Sequence, residues 1–258
     1  MESQPSTLFL HGGPGLHCAV EREWFGDTLP VLWWDQPTVA ESPAPFNTLV
    51  THAAKQLEAM VDSTGGQVGL IAHSFGGQIA TALIRKHPAL ISRITLLGCP
   101  HDRFQFFFLL AQRLLETGHE FPGLQDALAA VEENCDEASF FSLIQACYPG
   151  GNLPGIYFGP HSSGARNRYL SVLATAPPVD FATFFAVMKE FLLIPNSTQP
   201  TGYDGEVVII MGRDDPLLDL EADRRKWLDV FPQANFKQVD AGHFLQFELP
   251  PDIWFNNK

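Results

Sequence analysis

Three residues far apart in the chain, Ser74, Asp215 and His243, could together perform nucleophilic acyl chemistry, and each stands where an apolar run gives way to a turn. A serine hydroxyl is a weak nucleophile until a histidine takes its proton. A carboxylate behind the histidine fixes the imidazole tautomer and stabilises its positive form. Ser74 lies in Ala72-His73-Ser74-Phe75-Gly76, after the apolar run Gln67 to Ala72 and before a helical pattern. A sharp strand-to-helix turn strains the serine backbone, needs small residues two before and two after it, and exposes the hydroxyl. The helix that follows aims free N–H groups, and the positive end of its dipole, at a reacting carbonyl. Five such residues also arise by chance, and a serine there can serve only to cap the helix. The flanking strand and the other motifs decide between the two.

Upstream, Leu8-Phe9-Leu10 runs into His11-Gly12-Gly13-Pro14-Gly15, a turn whose glycines allow backbone N–H groups to approach a ligand closely. Downstream, Val207 to Met211 ends in Gly212-Arg213-Asp214-Asp215-Pro216, and Val239 leads into Asp240-Ala241-Gly242-His243-Phe244. Serine, acid and histidine thus follow one another in the order found in hydrolases with a nucleophile elbow. These motifs resemble those of the α/β-hydrolase superfamily, and within it the prolyl-aminopeptidase-like branch, which carries a His-Gly-Gly-Pro-Gly turn. The resemblance implies Ser74 as nucleophile, His243 as base and Asp215 as acid, with the N–H groups of Gly13 and Phe75 as an oxyanion hole. It also implies that His11 only holds its loop. Asp214 and Asp102 compete with Asp215 as the acid. His73 faces away from the nucleophile by strand alternation and reads as structural. His17, His52, His87, His101, His119 and His161 lack any comparable context.

The resemblance has limits. Asp35, Gln36 and Ser42 match the aminopeptidase loop after the next strand, but its Arg and both glycines are replaced. Those peptidases also place cap glutamates beside tryptophans, whereas no Trp lies between Trp34 and Trp227. Peptidase specificity is therefore not expected.

To hold these groups, short Val-, Ile- and Leu-rich runs must form a sheet with helices on its faces. Strands are predicted at Thr7 to Leu10, Val31 to Trp34, Gln67 to Ala72, Ile94 to Leu97, Glu206 to Met211 and Asn235 to Val239. Helices are predicted at Thr48 to Val61, Gly77 to Lys86 and Glu221 to Phe231. His11 comes early, so about six main strands are expected, without the two that usually precede this motif. With the resemblance this implies an α/β fold, that of an α/β-hydrolase with a mostly parallel sheet. Residues 1–100 and 204–258 would form the core. Residues 101–203 break the alternation and would form a helical cap, with helices at Phe104 to Thr117, Leu124 to Glu133, Glu137 to Cys147 and Asp180 to Leu193. Pro149 to Gly155 and Gly159 to Gly164 would be loops within it.

The cap is rich in phenylalanine, which suits the lining of an apolar pocket. Phe104, Phe106, Phe107 and Phe108 cannot all face one core, and Phe104, Phe107, Phe108 and Phe184 are candidate substrate contacts. The expected substrate is a small apolar or aromatic ester or thioester. C–C bond hydrolysis, acyl transfer, lyase chemistry, prolyl aminopeptidase activity and a non-catalytic ligand-binding scaffold are the alternatives, because fold does not fix reaction.

With 16 Lys and Arg against 29 Asp and Glu, the formal charge of −13 repels phosphate backbones, so nucleic acid is not an expected partner. The apolar run Phe106 to Leu110 is far short of a membrane span. No basic-then-apolar segment opens the chain, and a cytoplasmic location is expected. Cys18, Cys99, Cys135 and Cys147 show no paired spacing, so reduced thiols are expected, with no metal and no cofactor. The protein is expected to be a monomer or a homodimer.

Overall fold

The computed structural model describes residues 5–118, 121–148, 155–194 and 196–255. His119 and most of the predicted loop Pro149 to Gly155 lie outside the described residues. Six strands, β1 (Thr7–Leu10), β2 (Val31–Trp34), β3 (Val68–His73), β4 (Ile91–Leu97), β5 (Glu206–Gly212) and β6 (Asn235–Val239), form one sheet in the order β2-β1-β3-β4-β5-β6. Every pairing is parallel, so the sheet is wholly rather than mostly parallel. Strands covered on both faces become continuous apolar runs instead of alternating ones. β3, Val-Gly-Leu-Ile-Ala-His, is buried at every position, whereas the edge strand β6 is half-buried or exposed.

Helices α1 (Ala19–Phe25), α2 (Pro45–Thr64) and α3 (Gly76–Lys86) connect the first four strands. α2 starts at a proline, whose fixed φ and missing N–H suit a first helical turn, and stops at Gly65 in the left-handed conformation. Its buried Leu49, Ala53, Leu57 and Met60 lie on one face at helical spacing. Between β4 and β5 the described chain is helical without a strand: α4 (Gln105–Glu116), α5 (Leu124–Glu133), α6 (Glu137–Cys147), α7 (Ser163–Leu173) and α8 (Phe181–Leu193). α7 begins inside the predicted loop Gly159 to Gly164. It buries only Tyr169, so its sequence lacks the apolar stripe that reveals a helix. α1 is also absent from the sequence reading, because seven residues are too few for a period to stand out. Helices α9 (Leu220–Val230), α10 (Leu245–Glu248) and α11 (Pro251–Trp254) complete the chain, making eleven α-helices among the described residues.

Of the helices between β4 and β5, α4, α5 and α6 pack on one another, while α7 rests on α1 and α8 on α2. Among the described residues no helix is long and apolar enough to cross a membrane. Cys18, Cys99 and Cys147 are buried free thiols and Cys135 is exposed.

Candidate active site

β1 and β3 are neighbours in the sheet, with Leu10 beside Ala72, so the turns that follow them emerge side by side. The chain leaves β1 for β2 on one side and β3 for β4 on the other, and such a switch point opens a crevice at the carboxyl ends of parallel strands. Gly12 meets Ser74 there: a Cβ on the glycine would lie 3.2 Å from that of the serine.

Ser74 has φ +53°, the one positive φ of a non-glycine among the described residues. Its N–H still bonds the Leu97 carbonyl at 3.0 Å, extending the β3–β4 ladder through the turn. The turn is tight because α3 starts against β1. A Cβ on Gly76 would sit 2.1 Å from the Leu10 carbonyl oxygen, so only glycine fits. No side chain caps α3; the Gly77 and Gln78 N–H groups bond the Ser74 and Phe75 carbonyls, and the positive end of the helix dipole lies at Ser74. Gly13 and Phe75 line the same cavity as Ser74, and among the described residues neither backbone N–H has a protein acceptor.

His11 holds the glycine turn from beneath. Its Nδ1 donates to the Gly12 carbonyl at 2.6 Å and its Nε2 accepts the Gln36 N–H at 3.2 Å. Burial lowers its pKa to about 4, so the imidazole is a neutral strut. The Gln36 side chain accepts from Gly15 N–H and donates to the His11 and Gly12 carbonyls. The matched Asp35-Gln36 pair thus orders this turn although the rest of its loop differs from the aminopeptidase pattern. His11, Cys18 and Asp35 place donor atoms close enough for a cation. Each is already engaged: Cys18 Sγ with the Trp34 carbonyl, and Asp35 with the Cys18 N–H and the Arg22 guanidinium.

β5 and β6 are paired with Gly212 beside Val239, which brings the turns carrying Asp215 and His243 together. Asp215 Oδ2 lies 2.8 Å from His243 Nδ1, and both side chains are buried. Asp215 Oδ1 accepts the Leu217 N–H at 2.9 Å, which fixes the carboxylate plane. Asp214 is exposed. Asp102 lines the cavity, but Lys226 Nζ and the N–H groups of Phe104 and Gln105 surround its carboxylate at 3.1 Å. Burial opposes ionisation of Asp102, and these donors outweigh it, holding the pKa below the usual carboxylate value. Of the three candidate acids, Asp215 is the one bonded to His243. His73 supports the His243 loop from below. Its Nε2 lies 3.0 Å from the His243 carbonyl, and burial, with the His243 ring beside it, keeps it neutral at ordinary pH.

Ser74 and His243 line one cavity of about 560 Å³, within the range of small-molecule sites. Among the described residues no hydrogen bond joins Ser74 Oγ to His243, and such contacts commonly tighten only around a substrate. Phe107 and Phe184 line the cavity, as do Phe106, Phe181, Phe185 and Phe191. Phe104 and Phe108 do not. Phe104 packs edge-on against Phe140 inside the insertion, because only part of the phenylalanine cluster on α4 can point toward Ser74.

Several residues with no sequence signal join the insertion to these turns. Arg113 of α4 donates to the carbonyls of Asp215 and Leu218. His243 N–H donates to the Tyr157 carbonyl at 2.7 Å. Glu248 accepts the N–H groups of Gly159, at 2.9 Å, and of Gly242, at 3.0 Å. Asp180 N–H bonds the Gly15 carbonyl at 2.8 Å. No local pattern could have identified them, since every pairing but Glu248 with Gly242, six residues apart, spans a large stretch of sequence.

The alpha/beta hydrolase fold family model matches residues 5–250. No curated protein matches the sequence significantly. Among solved structures, a proline iminopeptidase-related protein from Thermus thermophilus is 21% identical, over 98% of this chain and 87% of that one, with a TM-score of 0.67. The 2-hydroxy-6-oxo-6-phenylhexa-2,4-dienoate hydrolase of Rhodococcus sp. strain RHA1 is 18% identical over 95% and 86%, with a TM-score of 0.57. A thermophilic esterase of Thermogutta terrifontis is 21% identical over 97% and 86%, with a TM-score of 0.56. At these identities the neighbours speak to the fold alone, and fold does not fix reaction. A family model spanning most of the chain, a parallel sheet of this order and a strained serine after β3 agree: the chain belongs to the alpha/beta hydrolase fold family.

Proposed function

We propose that this protein is a serine hydrolase that cleaves a carboxylic ester or thioester with an apolar acyl or aromatic portion. One observation carries the reading: the strained Ser74 opens into the same cavity as His243, whose far nitrogen is held by buried Asp215. In this reading His243 Nε2 takes the Ser74 proton while Oγ attacks the carbonyl carbon. The Gly13 and Phe75 N–H groups receive the developing oxyanion, each contributing about 2.7 to 4 kcal/mol to the transition state. His243 returns its proton to the departing alcohol or thiol, leaving an acyl-serine. Water activated by the same histidine then releases the acid.

The insertion, residues 101–203, acts as the cap over this site, and Phe107 and Phe184 contact the acyl portion. An aminopeptidase would need a carboxylate to hold a substrate ammonium. Asp102 is the one acid among the described lining residues, and Lys226 and two backbone N–H groups already occupy it. That favours an ester over a free-amine peptide.

A fluorophosphonate probe tests the mechanism, with wild type labelled and Ser74→Ala and His243→Ala unlabelled; equal labelling of all three refutes it. A p-nitrophenyl ester series tests the substrate. Medium or aromatic acyl groups should be preferred, and an acetate-only or flat profile counts against the apolar reading.

A further inference from the structure

Tyr148 ends α6 and Tyr157 ends the 3₁₀ turn Gly155–Tyr157, and both line the cavity. Their hydroxyl oxygens are hydrogen-bonded to each other. Each phenol carries one proton, and the bond between them uses one. Among the described residues neither oxygen has any other hydrogen-bond partner, so one hydroxyl proton is left without a protein acceptor. Burial raises both phenols well above their ordinary range, so neither loses its proton at neutral pH. Tyr157 is only 4% exposed, and a buried donor with no partner is unfavourable unless a ligand or water meets it in the cavity.

The position of the pair is specific. The Tyr157 ring stands edge-on to His243 with centroids 5.4 Å apart, and the Tyr157 carbonyl holds the His243 N–H. The pair therefore lies on the side of the site from which the base acts. In a serine hydrolase the leaving group departs toward that base, because the histidine must protonate it. Eight phenylalanines line the same cavity, and of the tyrosines that line it Tyr157 is the one whose ring packs on His243, so the free donor of its pair discriminates chemically at that residue.

We propose that the Tyr148–Tyr157 hydroxyl pair is a substrate-binding subsite that donates a hydrogen bond to an oxygen on the alcohol or thiol half of the substrate. The preferred substrate then has an apolar acyl group and a leaving group bearing an ether, carbonyl or hydroxyl oxygen a few atoms beyond the scissile bond. This rests on the ester or thioester hydrolase reading.

The test compares 2-methoxyethyl hexanoate with n-butyl hexanoate, which differ by one oxygen in place of a methylene. Acid release is followed by pH-stat, and the ratio of kcat/KM values is divided by the ratio of the two hydroxide-catalysed rates. Wild type should favour the methoxyethyl ester by about 5- to 10-fold, the size of one neutral hydrogen bond. The double variant Tyr148→Phe/Tyr157→Phe should bring the corrected ratio within about 2-fold of one. Both esters are assayed on one preparation, so a fraction of unfolded protein cancels. If the double variant does not fold, the single Phe variants decide, and at least one must halve the ratio. A wild type without preference, or variants that all retain it, overturns the subsite while n-butyl ester turnover leaves the hydrolase reading intact. Turnover of neither ester overturns both.

Discussion

Glu248 should stabilise the fold and position His243, the proposed base, through a single carboxylate. It accepts the Gly159 N–H from the insertion and the Gly242 N–H from the turn bearing His243. Gly242 is pressed so closely on the insertion that a Cβ there would lie 2.5 Å from the Tyr157 carbonyl oxygen, so this turn has little room to find other partners. Glu248→Ala strands two backbone donors, each worth about 1 to 2 kcal/mol at a half-buried site, for a loss of roughly 3 kcal/mol. For a chain of this length that is a fall in Tm of roughly 6 to 12 °C. Oε2 accepts both N–H groups, so Glu248→Gln can keep that acceptor while setting an amide donor 3.1 Å from the Gly242 nitrogen, and it should recover part of the loss. Because the freed turn carries His243, kcat on a p-nitrophenyl ester should fall at least 10-fold with little change in KM, and Gln should restore it in part. Differential scanning fluorimetry and steady-state kinetics on the three proteins check this. An Ala variant with wild-type Tm and wild-type kcat would refute the claim that Glu248 holds the base turn.

Asp215→Asn should lower kcat by roughly 10³- to 10⁴-fold while Asp102→Asn lowers it far less, since only Asp215 bonds His243; similar losses from both would mean the acid is misassigned. Glu21 is buried, accepts from Gln246 Nε2 at 3.2 Å, and burial raises its pKa from 4.5 to about 7. A carboxyl raised on folding gives stability that is full below its unfolded value and is lost as pH rises through the folded one. Wild type should therefore lose stability between about pH 4.5 and 7, by an amount on the order of 3 kcal/mol. Glu21→Gln should flatten that slope, as read from urea unfolding at pH 5 and pH 8; an unchanged slope would exclude Glu21 as its source.

Much of the candidate site is legible in the order of residues. A serine between small neighbours after an apolar run, a glycine turn after another, and an acid and a histidine after two more are local patterns, set by backbone sterics within a few residues. The six predicted strands fall within a few residues of their observed ends; the central ones, such as β3, are buried on both faces and declare themselves as unbroken apolar runs. α1 and α7 do not, since one is too short for a period and the other buries a single side chain.

Choices among chemically equal residues required three dimensions. Asp215 and Asp214 are adjacent and identical in type, and only the path of the turn after β5 buries one against His243 and exposes the other. Phe107 faces the cavity and Phe108 does not because of the angle at which α4 lies on the core, which no period of α4 alone defines. Arg113, Glu248, Tyr148 and Tyr157 carry no motif. Chain folding brings the helical segment between β4 and β5 onto the turns of β1, β5 and β6, where Arg113 and Glu248 meet backbone acceptors and donors that would otherwise be stranded, and where the two tyrosine hydroxyls meet each other.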